Sequence, residues 1–199
     1  MGLIDKVHGG VVHTRRVRVL ADRIAPLFPQ GARVLDIGCG DGMLAKLLME
    51  RRPDVTVEGV DVLVREGTYI PVRPFDGKAI DSPDKSYDAT LFVDVLHHTD
   101  DANVLVAEAK RLSRNCVVIK DHTRNGLLAG PTLRFMDRVG NARYGVALPY
   151  NYLSKAEWDA LFARQGLKVE HWEKRLGLYP WPASWLFGRG LHFVARLGV

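Results

Sequence analysis

The stretch Val34-Leu35-Asp36-Ile37-Gly38-Cys39-Gly40-Asp41-Gly42 decides how the rest of the chain is read. Arg33 to Ile37 is a short apolar run that stops at glycine, the pattern of a strand buried on both faces. Gly38, Gly40 and Gly42 then let the backbone turn tightly and approach a ligand with no Cβ in the way. Helix-forming residues follow from Met43 to Arg51 and stop near Pro53. Strand, glycine loop and helix in that order make the opening unit of an α/β sheet.

Upstream, Val17, Leu20, Ala21, Ile24 and Phe28 recur at helical spacing, and Pro26 closes the last turn of that helix. Downstream, Val55 to Val60 alternates into a second strand that ends at Asp61. Ile70 to Phe75 is a third, whose Pro71 and Pro74 suit a sheet edge. Tyr87 to Val93 reads as a fourth strand, Leu105, Ala109 and Leu112 mark a helix, and Cys116 to Lys120 reads as a fifth strand. Ser154 and Glu157 form a capping box before Trp158, Leu161 and Phe162, and Gly166 ends that helix. Leu167 to Glu173 and Leu191 to Leu197 are the last strand candidates. This alternation predicts an α/β, doubly wound, mostly parallel sheet with helices on both faces, in a single domain over residues 1–199. Ligands of such sheets sit beyond the carboxyl ends of the strands.

The net charge is +5, and cations are interleaved with acids except at Arg15, Arg16 and Arg18. Such scattering describes a solvated surface, and no nucleic-acid partner is expected. The two cysteines, Cys39 and Cys116, fall at opposite ends of their strands, beyond the ~4.4–6.8 Å Cα separation of a disulfide. Separate thiols suit a reducing cytosol, so a cytoplasmic location is expected. No long apolar run follows the first charges, and no stretch approaches the ~20 apolar residues of a membrane span. No metal ligand set is expected.

Asp61 lies 21 residues beyond Gly40, at a strand end where a carboxylate accepts hydrogen bonds from ribose hydroxyls. A dinucleotide site wants G-x-G-x-x-G, whose third glycine packs helix on strand beneath a pyrophosphate. Here the pattern is G-x-G-x-G, and Asp36 stands two residues before its first glycine. A carboxylate there repels a pyrophosphate and suits a cationic ligand, such as a sulfonium that also bears an α-amino group.

On these residues the chain resembles the class I S-adenosylmethionine-dependent methyltransferases, most closely their small-molecule group. VLDIGCGDG is similar to the family's first motif, and VEGVDV (Val57 to Val62) to its second. Phe75-Asp76-Gly77 matches the adenine-contacting position, and SYDATLFVDVLHH (Ser86 to His98) is similar to the fourth-strand motif. The resemblance implies a Rossmann-like seven-stranded sheet with its last strand antiparallel, S-adenosylmethionine as cofactor, and methyl transfer to a small-molecule acceptor. It implies Asp36 near the methionine amino group, with Gly38, Cys39, Gly40 and Gly42 under the cofactor. It further implies Asp61 and Val62 at the ribose, Asp76 and Gly77 at the adenine, and Asp94 and His97 near the sulfonium. Between Gly77 and Ser86 the chain departs from the family, lacking its short helix and apolar turn.

Methyl transfer needs donor and acceptor aligned and water excluded, and needs a base only where the acceptor carries a proton. Asp94, His97, His98, Asp121 and His122 stand at the ends of the fourth and fifth strands, and histidine titrates near neutral pH. Any one of these histidines also has a plainer reading, facing the core or capping a helix. Residues 123–153 are expected to be a substrate lid, in which Pro131 opens a short helix carrying Leu133, Phe135, Met136 and Val139 beside Arg134 and Arg138. An apolar wall with arginines suits a hydrophobic or anionic acceptor. Residues 1–30, with His8, His13, Arg15 and Arg16, are expected to cap the pocket from the other side.

LYPWPASWLF (Leu178 to Phe187) has three readings, ranked as a loop packed on its own sheet, a homodimer contact, and a peripheral membrane patch. Two other functions remain open. One is an S-adenosylmethionine sensor or subunit that has lost transfer, whose sign would be a damaged loop; the other is a nucleotide-dependent oxidoreductase. Marks of nucleic-acid methylation are missing: no Asn/Asp-Pro-Pro-aromatic follows the fourth strand, and no Pro-Cys offers a nucleophile.

Overall fold

The computed structural model describes residues 3–141 and 149–199, with side chains described from 14 to 139 and from 149 onward. The elements run α1 (Leu3–Ile24), β1 (Arg33–Ile37), α2 (Met43–Arg51), β2 (Thr56–Asp61), β3 (Val72–Pro74), β4 (Tyr87–Val93), α3 (Ala102–Leu112) and β5 (Ser113–His122). Then come α4 (Ala129–Asn141), α5 (Lys155–Arg164), β6 (Lys168–Glu173), α6 (Ala183–Phe187) and β7 (His192–Gly198). A single-turn 3₁₀ helix, Leu96–His98, follows β4.

The strands form one seven-stranded sheet in the order β3-β2-β1-β4-β5-β7-β6. All neighbours are parallel except β7, which runs antiparallel to both β5 and β6. The chain winds outward from β1 through β2 to β3, then returns to lay β4 against the other side of β1. The switch point between β1 and β4 is where a doubly wound sheet opens a crevice at its carboxyl edge.

Alternation along β5 explains both the core and the site. Val117 and Ile119 join Leu105, Ala109, Trp158 and Phe162 on one face. Cys116 and Val118 join Leu20, Ala21, Ile24, Ala45 and Leu48 on the other. Continued to the strand end, the same period of two sends Lys120 toward α1 and Asp121 toward the 3₁₀ turn. β5 is longer than expected because antiparallel pairing with β7 carries it on to His122, opposite His192. β3 is shorter, confined to Val72, Arg73 and Pro74 at the sheet edge.

Local signals set the helix limits. Ser154 Oγ accepts from the Glu157 amide while Glu157 returns the bond to the Ser154 amide at 2.7 Å. That box starts α5, whose Trp158 is fully buried and donates its indole N–H to the His122 carbonyl at 2.9 Å. Pro26 turns the end of α1 into a 3₁₀ turn, Ala25–Leu27. Among the described residues, no helix is long and apolar enough to cross a membrane.

Candidate functional site

The loop after β1 is a left-handed cradle. Gly38 and Gly42 both take φ +77°, and a Cβ on Gly38 would sit 2.6 Å from Val95 Cγ2, while one on Gly42 would strike Ile70. Five of its amides are bonded within the protein. Gly38 and Cys39 donate to the Val60 carbonyl, Gly40 to Asp61 Oδ2 at 2.7 Å, Gly42 to the Cys39 carbonyl and Met43 to Asp41 Oδ1. An anion site would aim such groups at its ligand. Here the loop has the carboxylates of Asp36 and Asp61 beside it, an environment that favours a cation.

Asp36 lies beneath that loop, 2% exposed, and its Oδ1 has no hydrogen-bond partner among the described residues. Burial, reinforced by the charge of Asp61, pushes its carboxyl up to about 7. An orphaned buried carboxylate oxygen is costly unless something arrives to pair with it. Burial and the nearby carboxylates raise the Cys39 thiol, which disfavours its thiolate. Asp61 also accepts from the Leu63 amide, and its register partner is Pro74. Val62 is exposed and sits 3.3 Å from where a Cβ on Gly77 would be, so the expected ribose and adenine edges adjoin. Asp76 Oδ1 accepts from the Lys78 and Ala79 amides at 2.8 Å, which pins the turn after Gly77 in place of the family's helix.

At the end of β4, Asp94 takes a left-handed φ of +58°. Its carboxylate pairs with Lys120 from β5 and Arg16 from α1. Burial alone would raise its pKa, but the two cations hold it well below the usual carboxylate range. Lys120 is fully buried, and burial brings it down to about 8 against the pull of Asp94. Asp94 is therefore a fixed negative charge and a poor proton acceptor near neutrality.

On the other side, His97 is 1% exposed, with Nδ1 2.6 Å from Asp121 Oδ1. Burial opposes its charge, yet Asp121 outweighs burial and lifts the imidazole to about 10. Asp121 Oδ2 also accepts from the Leu96 amide at 3.1 Å, fixing the turn that carries His97 and His98. His98 lies lower than usual through burial and the adjacent His97. His122, between Asp121 and Asp94, falls to about 4 through burial and Lys120. The structure thus gathers Asp94, His97, His98, Asp121 and His122 around one point, in unlike charge states.

Four further members were not anticipated from sequence. Lys120 and His192 come from strand ends, and Tyr152 stacks on His97 at 5.3 Å. Asp137 approaches His97 Nε2 at 3.7 Å and His98 Nε2 at 3.6 Å. A signal for Asp137 existed: it stands four residues after Leu133, on the buried stripe of α4. That stripe corrects the expected apolar wall. Phe135 and Val139 are 59% and 63% exposed and face away, because Leu133 and Asp137 hold the inner face. The cavity beside α4, about 400 Å³, is lined by Arg124, Gly130, Pro131, Arg134, Tyr150 and Tyr152. Residues 142–148 of the expected lid, and the side chains of His8 and His13, lie outside the described residues.

The aromatic segment is corrected as well. Its start packs inward, with Leu178 buried and Tyr179 against His192 at 5.6 Å. Trp181 and Trp185, however, are 85% and 74% exposed, so self-packing does not account for them.

Residues 12–172 match the family described as Methyltransferase domain. An uncharacterized methyltransferase of Mycobacterium tuberculosis is 36% identical over 95 residues, covering 44% of this chain and 47% of that protein. The 27-O-demethylrifamycin SV methyltransferase of Amycolatopsis mediterranei is 30% identical over 110 residues, 48% of this chain and 40% of that protein. The chain thus spans about half the length, or less, of these curated relatives. A Haloferax volcanii methyltransferase, solved in complex with the Trm112 methyltransferase activator, superposes with a TM-score of 0.70 at 14% identity. That superposition covers 96% of this chain and 93% of the other, and shows a shared fold.

Proposed function

Because the chain belongs to the Methyltransferase domain family, within the class I S-adenosylmethionine-dependent group, we propose that it transfers the methyl group of S-adenosylmethionine to a small-molecule acceptor. The observation that carries the reading is the buried Oδ1 of Asp36, unpartnered among the described residues, beneath a glycine loop in which the Gly38, Cys39, Gly40 and Gly42 amides are already bonded. When bound, the cofactor supplies a methyl group on positive sulfur together with an α-ammonium group. Asp36 would take the ammonium, and Gly38, Cys39, Gly40 and Gly42 would form the floor. Asp61 with Val62 would border the ribose, and Asp76 with Gly77 the adenine.

The acceptor end is the cluster beyond β4 and β5. Asp94 contributes a fixed charge there, His97 and His122 are oriented by Asp121, and His98 is the most exposed of the three histidines. The neighbouring cavity offers Arg124 and Arg134 with Tyr150 and Tyr152, which supports a flat or anionic small acceptor. Calorimetry with S-adenosylmethionine, followed by isotope-labelled methyl transfer to a panel of phenols and carboxylates, tests the reading. Saturable binding and a labelled product support it. Tight NAD binding without S-adenosylmethionine binding would end it, and binding with no product from the panel would favour a sensor.

A further inference from the structure

We propose that His97, His98 and Asp137 form a binding site for a divalent transition-metal ion, held through His97 Nε2, His98 Nε2 and Asp137 Oδ1. The three ligand atoms lie within 4.8 Å of one another, with Asp137 Oδ1 3.7 Å from His97 Nε2 and 3.6 Å from His98 Nε2. Ligand atoms about 2.0–2.1 Å from a tetrahedral ion stand about 3.4 Å apart, so small side-chain shifts complete the geometry. His97 Nε2 is buried, has no hydrogen-bond partner among the described residues and lies 3.7 Å from Asp137 Oδ1. Two imidazoles and one carboxylate leave a fourth position open, the arrangement of a reactive zinc-type site.

The surroundings are those of a metal site. His97 Nδ1 is bonded to the Asp121 carboxylate, which fixes the ring and leaves Nε2 for the ion. Asp137 Oδ2 accepts the Tyr152 hydroxyl at 2.9 Å, which orients the carboxylate from behind. The neighbouring trio His97, Asp121 and His122 is less suited, because the 2.6 Å bond between His97 and Asp121 leaves no room for an ion.

Metal binding stands independently of methyl transfer. Only the use of the ion rests on that reading: an acceptor hydroxyl at the open position would lose its proton more readily, to solvent or a nearby base.

The test uses untagged full chain stripped with a chelator. Zn²⁺ is titrated by calorimetry, and Co²⁺ is followed by its visible absorption. We expect one equivalent bound in the micromolar range or tighter, and Co²⁺ bands of tetrahedral intensity. His98→Ala and Asp137→Asn, checked for folding by circular dichroism, should each weaken binding at least about tenfold. Asp121→Asn should weaken it about 10- to 100-fold at unchanged stoichiometry. His171→Ala, at an exposed position on β6, should change nothing. Absence of saturable binding overturns the site, and so does binding that survives both His98→Ala and Asp137→Asn. S-adenosylmethionine titrated into the stripped protein separates the two proposals, since its failure there sinks the methyltransferase reading and leaves the metal site standing.

Discussion

The Gly40 amide donates to Asp61 Oδ2 at 2.7 Å, so a spacing of 21 residues in the chain closes into one hydrogen bond between the loop after β1 and the end of β2. Asp61 therefore shapes the loop, in addition to its proposed place at the cofactor ribose. Asp61→Ala removes that bond, the one to the Leu63 amide and the proposed ribose contacts together. Hydrogen bonds to a charged acceptor contribute about 1.5–3 kcal/mol each, so affinity for S-adenosylmethionine should fall by about 100-fold or more. Asp61→Asn, which keeps a carbonyl for Gly40, should lose less. An unchanged dissociation constant in the alanine variant would sink the assignment.

Asp36 gives the cofactor site a pH signature. Its carboxyl is raised from an ordinary 3.8 to about 7, so the empty protein binds a proton that the unfolded chain has released. The associated stability is full below about 4 and is lost as pH climbs through about 7. A bound ammonium reverses the preference by stabilising the ionised form. Affinity for S-adenosylmethionine should then be about tenfold weaker at pH 6 than at pH 8, with proton release on binding in the acid range. Asp36→Asn should flatten this profile. Calorimetry in buffers of different ionisation heat reads both quantities, and a flat profile in the unaltered protein would contradict the role.

The ions at Asp94 should not be equivalent. Lys120 is fully buried, whereas the Arg16 side chain is 29% exposed. Removing one partner of a buried pair typically costs about 3–5 kcal/mol, because the other charge stays behind in low dielectric. Lys120→Met should approach that loss in urea unfolding, while Arg16→Gln should lose about 1 kcal/mol, since water can reach its place. Equal losses would mean that α1 seals the site more tightly than the exposure of Arg16 indicates.

How far the sequence could be read follows from the same residues. Tyr87–Val93 was legible to the residue because a strand buried on both faces is mostly apolar, here Ala89 and Leu91 to Val93 after Tyr87. The Ser154 capping box was legible because its partners are three residues apart. Asp121 and His122 look like a strand's polar exit, and they extend β5 because β7 pairs Phe193 and His192 with them from 70 or more residues away in sequence. Arg16 and Asp94 are 78 residues apart, a pairing that no local pattern announces. The exposed tryptophans misled in the opposite sense, since composition favours burying them.

Those tryptophans supply the last prediction. A core Trp reduced to a small residue typically costs about 3–5 kcal/mol, whereas a surface change stays within about 0.5 kcal/mol. With Trp181 and Trp185 at 85% and 74% exposure, the double variant Trp181→Ser, Trp185→Ser should melt where the unaltered protein melts. Trp158→Ala, which also deprives the His122 carbonyl of its indole donor, should fall by the full core amount. If the tryptophans serve contact with another surface, the double variant should change sedimentation or vesicle pelleting instead. A matching drop in melting temperature for both variants would return Trp181 and Trp185 to the core and remove the reason to look for a partner there.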